Sequence, residues 1–95
     1  MTSIAPNAFK GNKKLKSVTI DKNIRKIGKN TFYGCKNLKK IVIRSKNLTK
    51  KSIGKNAFKG IHSKAVVKVP KSKVKSYKTL FKSKGMGKKV KVKKL

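Results

Sequence analysis

The sequence predicts an α/β solenoid: a right-handed coil of about three repeats over residues 1–69, with a short parallel β-sheet and tight turns, closed by a basic C-terminal cap over 70–95 made of a helix and an edge strand. Three observations predict it. The motif Asn-x-Phe-x-Gly occurs three times, at Asn7–Gly11, Asn30–Gly34 and Asn56–Gly60. A short β-branched segment follows each copy at a matching distance, as internal repeats require. From Pro70 onward this period gives way to helical spacing.

The repeats start near residues 4, 27 and 53. Ile27-Gly28-Lys29 and Ile53-Gly54-Lys55 are identical, and Ile4-Ala5-Pro6 fills the same slot. Leu15, Val18 and Ile20 lie 6, 9 and 11 residues after Phe9, and Leu38, Ile41 and Ile43 repeat those offsets after Phe32. After Phe58 the same offsets reach Lys64, Val67 and Val69, so the third copy keeps its strand and carries a lysine in the Leu slot. Strands near 17–20, 40–43 and 66–69 are expected to pair in parallel, with alternate residues pointing inward. In the turn, Asn is expected to cap a short helical turn, Phe to enter the core, and Gly to supply a positive φ. The expected core is a column of Phe9, Phe32 and Phe58 with Leu15, Leu38, Ile41, Ile43, Val67 and Val69. No single repeat can bury its own apolar face, so each relies on its neighbours. The second repeat is three residues longer, and its extra length falls in Ser45–Ser52, expected as a polar loop that replaces the shorter Asp21–Lys26 link, an insertion that solenoids tolerate on one face.

In the cap, Val74, Tyr77, Leu80 and Phe81 follow helical spacing and predict a helix over about 72–84. Pro70 or Ser72 can start it and Gly85 can stop it. Lys89 to Lys93 alternates Lys and Val and predicts an edge strand over about 89–93, where lysines discourage pairing with another chain. The chain begins inside a repeat, so it is expected to be part of a longer array.

Charge is the other dominant feature. Lys and Arg number 30 against one acidic residue, Asp21, for a formal net charge of +29. Such a chain attracts polyanions. Leu, Ile, Val and Phe number 25 of 95, above the roughly 20% below which disorder is expected. All but Arg25 and Arg44 of the basic residues are Lys. Lysine is a hydrated point charge without the planar fork of arginine, which points to diffuse attraction before base or phosphate reading. Cys35 is the only cysteine, so no internal disulfide forms. The segment from Met1 to Ile4 lacks the basic-then-apolar pattern of a signal peptide, and no stretch approaches the roughly 20 apolar residues of a membrane span.

The pattern Ile-Gly-x-x-x-Phe-x-Gly-Cys-x-x-Leu-x-x-Ile-x-Ile, here Ile27 to Ile43, resembles the BspA-type leucine-rich repeat family over about residues 4 to 69. The resemblance implies a leucine-rich-repeat-like scaffold from a bacterial surface or secreted protein, extracellular or cell-wall associated, with adhesion to host matrix proteins known among members. The family's Cys after the Gly is matched at Cys35, with Asn12 and Ile61 in that slot elsewhere. Its Pro after the strand is matched at Pro70.

Catalysis is not expected, and neither is a cofactor or a metal. An enzyme needs paired acids and bases, an activated nucleophile or a metal, and Asp21, Cys35 and His62 are the only strong ligand side chains. A Cys35–His62 dyad is the one sharp alternative to Cys35 as a small core residue. Gly85-Met86-Gly87-Lys88 lacks the context of a phosphate loop and reads as a helix stop. On the sheet, Lys16, Ser17, Thr19, Lys39, Lys40, Val42, Ala65, Val66 and Lys68 are expected to point outward. Lys16, Lys39, Lys40 and Lys68, with Lys89, Lys91 and Lys93 of the cap, form the candidate polyanion surface. Its expected partners are an anionic polymer, either wall teichoic acid or an acidic glycan, or a host or cell-surface protein held through Val42 and Val66. Nucleic acid is the weaker alternative, because only Tyr33 and Tyr77 are left to stack on bases.

Overall fold

The computed structural model describes residues 3–87 and 89–95. In chain order the elements are β1 (Ser3–Ile4), β2 (Ser17–Ile20), β3 (Lys26–Ile27), β4 (Lys40–Ile43), β5 (Val66–Val69), a 3₁₀ turn (Lys71–Lys73), α1 (Val74–Ser83) and β6 (Lys91–Lys94). Strands β2, β4, β5 and β6 form one open sheet in that order, every pair parallel. The register matches equivalent repeat positions: Val18, Ile41, Val67 and Val92 stand in one row. β1 and β3 form a second parallel pair, which the Ile27–Ile53 bridge extends into the third repeat. The fold is thus a stack of repeats in parallel register, with one helix.

The turns stack as closely as the strands. Asn7, Phe9 and Gly11 donate their N–H groups to the carbonyls of Lys29, Thr31 and Tyr33, and Asn30, Phe32 and Gly34 donate to Lys55, Ala57 and Lys59. Backbone groups that a turn would otherwise leave to water are therefore satisfied by the next repeat. Asn7, Asn30 and Asn56 adopt φ of 60°, 57° and 59°. They do not cap a helical turn: they occupy the left-handed region, which Asn tolerates better than other residues with a Cβ. Gly28 and Gly54 lie so close to the preceding repeat that a Cβ would overlap the backbone of Pro6 or of Lys29.

Phe9 and Phe32 stack at 5.7 Å between ring centroids, and Phe32 and Phe58 at the same spacing. Phe32 and Phe58 are fully buried, whereas Phe9 and Leu15 at the edge of the stack are half-buried. Leu38, Ile41, Ile43, Val67 and Val69 are buried around them. Phe81 supplies a fourth rung, 4.9 Å from Phe58 and tilted by 53°. It comes from α1, where positions i and i+4 share a face, so Tyr77 and Phe81 enter the core together.

The C-terminal elements differ from expectation at their ends. Pro70 is followed by a 3₁₀ turn, and the α-helix starts only at Val74, with no side chain capping it. At the other end, Gly85 has φ 96° and donates to the carbonyl of Lys82, while Met86 donates to that of Phe81. This Schellman arrangement uses glycine in the left-handed position and packs Met86 into the core. β6 then pairs with β5, the helix serving as the crossover that parallel strands need.

One residue expected to point outward, Ala65, points inward, and the loop of the second repeat is partly buried. Ala65 is fully buried, although the strand register sets it beside Lys39. Its N–H donates to His62 as that of Leu38 donates to Cys35, so Ala65 takes the core slot and Lys64 turns outward. The Ser45–Ser52 segment is not a wholly external loop. Ser45 and Leu48 are buried, and the Ser45 hydroxyl donates to the Ile24 carbonyl at 2.6 Å.

Candidate functional site

A groove of about 760 Å³ lies beside β6 and α1. Lys64, Lys78, Lys82, Lys89, Lys91 and Lys93 line it, together with Val66, Val90 and Val92. Five of the six arrive for reasons visible in the surrounding structure. Lys78 and Lys82 directly follow Tyr77 and Phe81, so burying those aromatics sets the two lysines along the flank of the helix. Lys64 is outward because Ala65 occupies the core. Lys91 and Lys93 alternate with Val92 along the strand and are exposed while Val92 is half-buried.

Of the lysines singled out from the sequence, the structure brings Lys89, Lys91 and Lys93 together in this groove. Lys68 is half-buried and stands directly opposite Lys93 across the β5–β6 pair. Lys40 is exposed and is separated from Lys91 by Val66, a distance of two strand spacings, or about 10 Å. Lys16 and Lys39 are exposed just ahead of their strands, where the Lys39 N–H donates to the Lys16 carbonyl. Val42 and Val66 are half-buried between these lysines. The candidate surface read from the sequence did not include Lys64, Lys78 or Lys82. The i, i+4 spacing of Lys78 and Lys82 beside the buried aromatics was a usable signal for those two, and nothing in the local sequence signals Lys64.

The other candidates resolve differently. The Cys35 thiol is fully buried and donates to the Phe9 carbonyl at 3.0 Å, in the preceding repeat. Burial pushes its pKa up, against a smaller opposing effect from the backbone at Asn12. His62 lies in the following repeat, and its Nδ1 accepts from the Lys64 N–H at 3.0 Å. Thiol and imidazole are each engaged elsewhere. Tyr77 is not free to stack on a base: it is buried, and its hydroxyl bonds to the inserted loop. Tyr33 is 37% exposed, with the Lys10 ammonium 5.7 Å from its ring centroid. Gly85 and Met86 end the helix, and Lys88 lies outside the described residues. Among the described residues, no three of His, Cys, Asp and Glu gather into a group that could hold a metal ion. No helix among them is long and apolar enough to cross a membrane.

The repeat geometry agrees with the comparison of the chain with known families. The family described as BspA type leucine rich repeat region (6 copies) matches residues 1–94, a span that also takes in α1 and β6. No curated protein and no solved structure matches the chain. With the match running over nearly its whole length, the chain belongs to the BspA-type leucine-rich repeat family.

Proposed function

We propose that this chain is a non-catalytic scaffold, a right-handed coil of repeats from a bacterial surface or secreted protein, and that its lysines hold it to an anionic polymer of the wall teichoic acid or acidic glycan kind. Family membership supports the first half, since such repeats are interaction modules and the family is generally associated with bacterial surfaces. The observation that carries the second half is the groove lined by six lysines and no carboxylate. Clustered like charges raise the local potential and favour a partner that brings many negative charges at once. Lysine ammonium groups on flexible stems match charge density better than a fixed pattern of acceptors. The buried, engaged thiol supports a scaffold without turnover.

The test is binding to teichoic acid, heparin, duplex DNA and a neutral glycan at about 0.15 M salt, where the screening length is near 8 Å. The proposal expects the polyanions to bind in order of charge density and the neutral glycan not to bind. A partner held through Val42 and Val66 instead would be lost on substituting those residues and would respond weakly to salt.

A further inference from the structure

The free edge of β6 carries a second kind of information. The Lys91 N–H donates to the Ala65 carbonyl, and the Leu95 N–H donates to that of Val69. In a parallel ladder a residue's N–H and C=O point to the same side, and the next residue's point to the other. The N–H and C=O groups of Val92 and Lys94 therefore point away from β5. Among the described residues no backbone group outside the strand ladders bonds to them. Beside this edge lies the groove lined by lysines and by Val66, Val90 and Val92.

We propose that the β6 edge takes an extended acidic peptide segment as a fifth strand, one in which acidic residues alternate with β-branched apolar residues. Three features select this occupant. The open backbone groups of Val92 and Lys94 offer main-chain hydrogen bonds to an added strand, which is how sheet edges bind peptides. Lys91 and Lys93 are exposed on one face of the sheet, where residues opposite on a neighbouring strand would be acidic. Val92 lies on the other face, in the row of Val67 and Ile41, where an apolar residue continues the core. A second copy paired through its own β6 is a poor occupant, because that edge would set lysine against lysine, and the β2 edge of a second copy offers Ser17 and Thr19 but no acidic residue to Lys91 and Lys93. A glycan or teichoic acid satisfies the lysines but leaves Val92 and the strand edge unused.

The experiment uses the full chain and a fluorescent hexapeptide alternating Glu and Val. Its controls are the same peptide N-methylated at every second residue and heparin, all at about 0.15 M salt. Anisotropy gives affinity, and amide hydrogen exchange reads Val92 and Lys94. The proposal expects the Glu-Val peptide to bind and to protect these two amides. N-methylation, which keeps the charge and removes strand donors, should weaken binding by about tenfold or more. Heparin should bind without protecting them. Replacing Lys91 and Lys93 together by Glu, at exposed positions, should switch preference to a Lys-Val peptide. Equal affinity for the methylated and unmethylated peptides overturns strand addition, as does equal protection by heparin. Heparin binding is read separately, so its failure would remove polyanion retention and leave the peptide result standing.

Discussion

The hydroxyl of Tyr77 donates to the carbonyl of Ser45 at 2.7 Å, joining the C-terminal helix to a loop 32 positions earlier in the chain. The same oxygen accepts from the Leu48 N–H at 3.2 Å. One side chain therefore satisfies two backbone groups of the segment that makes the second repeat longer than the first. Replacing Tyr77 by Phe would leave the Ser45 carbonyl and the Leu48 N–H without a partner. The expected cost is about 1–3 kcal/mol in unfolding free energy, measured by urea denaturation. A change of a few tenths would mean that water takes over the hydroxyl's role.

Burial also holds the Tyr77 pKa above its usual value, with the Leu48 N–H opposing it. The folded state thus keeps a proton that the unfolded chain loses above pH about 10. The stability tied to that proton is complete below pH about 10 and is lost as pH rises through the folded value. Lysines lose charge in the same range and relieve repulsion, so the informative quantity is the gap between wild type and Tyr77→Phe. That gap should narrow as pH rises from 9 to 11 (roughly one unit either side of the free tyrosine value). A constant gap would contradict the assignment.

Phe32 is the middle rung of the aromatic ladder and is fully buried between Phe9 and Phe58. Phe32→Ala should cost about 3–5 kcal/mol through lost burial and a residual cavity. In a domain of this size that approaches the whole stability. Circular dichroism at 25 °C would show a largely unfolded chain; native melting behaviour would show that the ladder is not a central support.

Gly54→Ala tests the close approach of neighbouring repeats, since the added Cβ would overlap the backbone of Lys29. Backbone yields less readily than a side-chain end, so a loss of about 1–3 kcal/mol is expected. Ala5, exposed in the equivalent slot of the first repeat, should accept Gly with only a small change. Equal effects at the two positions would show that the cost is not one of stacking.

Much of the repeat was legible because its register is written in side-chain types. The spacing from Phe32 to Leu38, Ile41 and Ile43 located the strand β4 and its inward residues. The Gly85 stop was legible for the same reason, as only a left-handed residue closes the helix there. What stayed hidden depends on contacts between distant segments. Ser45 looks like a surface serine until Ile24 and Tyr77 are brought to it. Phe81 becomes a rung of the ladder only when α1 is docked on Phe58. Asn at the turn start suggested a cap, because left-handed and capping conformations favour the same residue. In the candidate site, Lys89, Lys91 and Lys93 could be grouped by alternation, while Lys64 entered only through the slot taken by Ala65.

Repulsion among lysines should be visible in stability. The chain carries +29 within a radius of gyration of 11.5 Å. The Debye length falls from about 30 Å at 0.01 M to about 8 Å at 0.15 M salt. The melting temperature should therefore rise with sodium chloride over this range. A flat profile would mean that the lysines are spaced widely enough to ignore one another.

The most direct test of polyanion retention is a salt titration of heparin binding by the wild type and by the triple variant Lys89→Gln, Lys91→Gln, Lys93→Gln. These side chains are exposed, so the variant should fold, which the melting curve would verify. Release of condensed counterions makes log K fall linearly with log salt, with a slope set by the number of charges engaged. Binding is expected at about 0.15 M salt, a screening length of about 8 Å, together with weaker affinity and a shallower slope in the variant. Absence of heparin binding by the wild type at that salt, or an unchanged slope in the variant, would contradict polyanion retention.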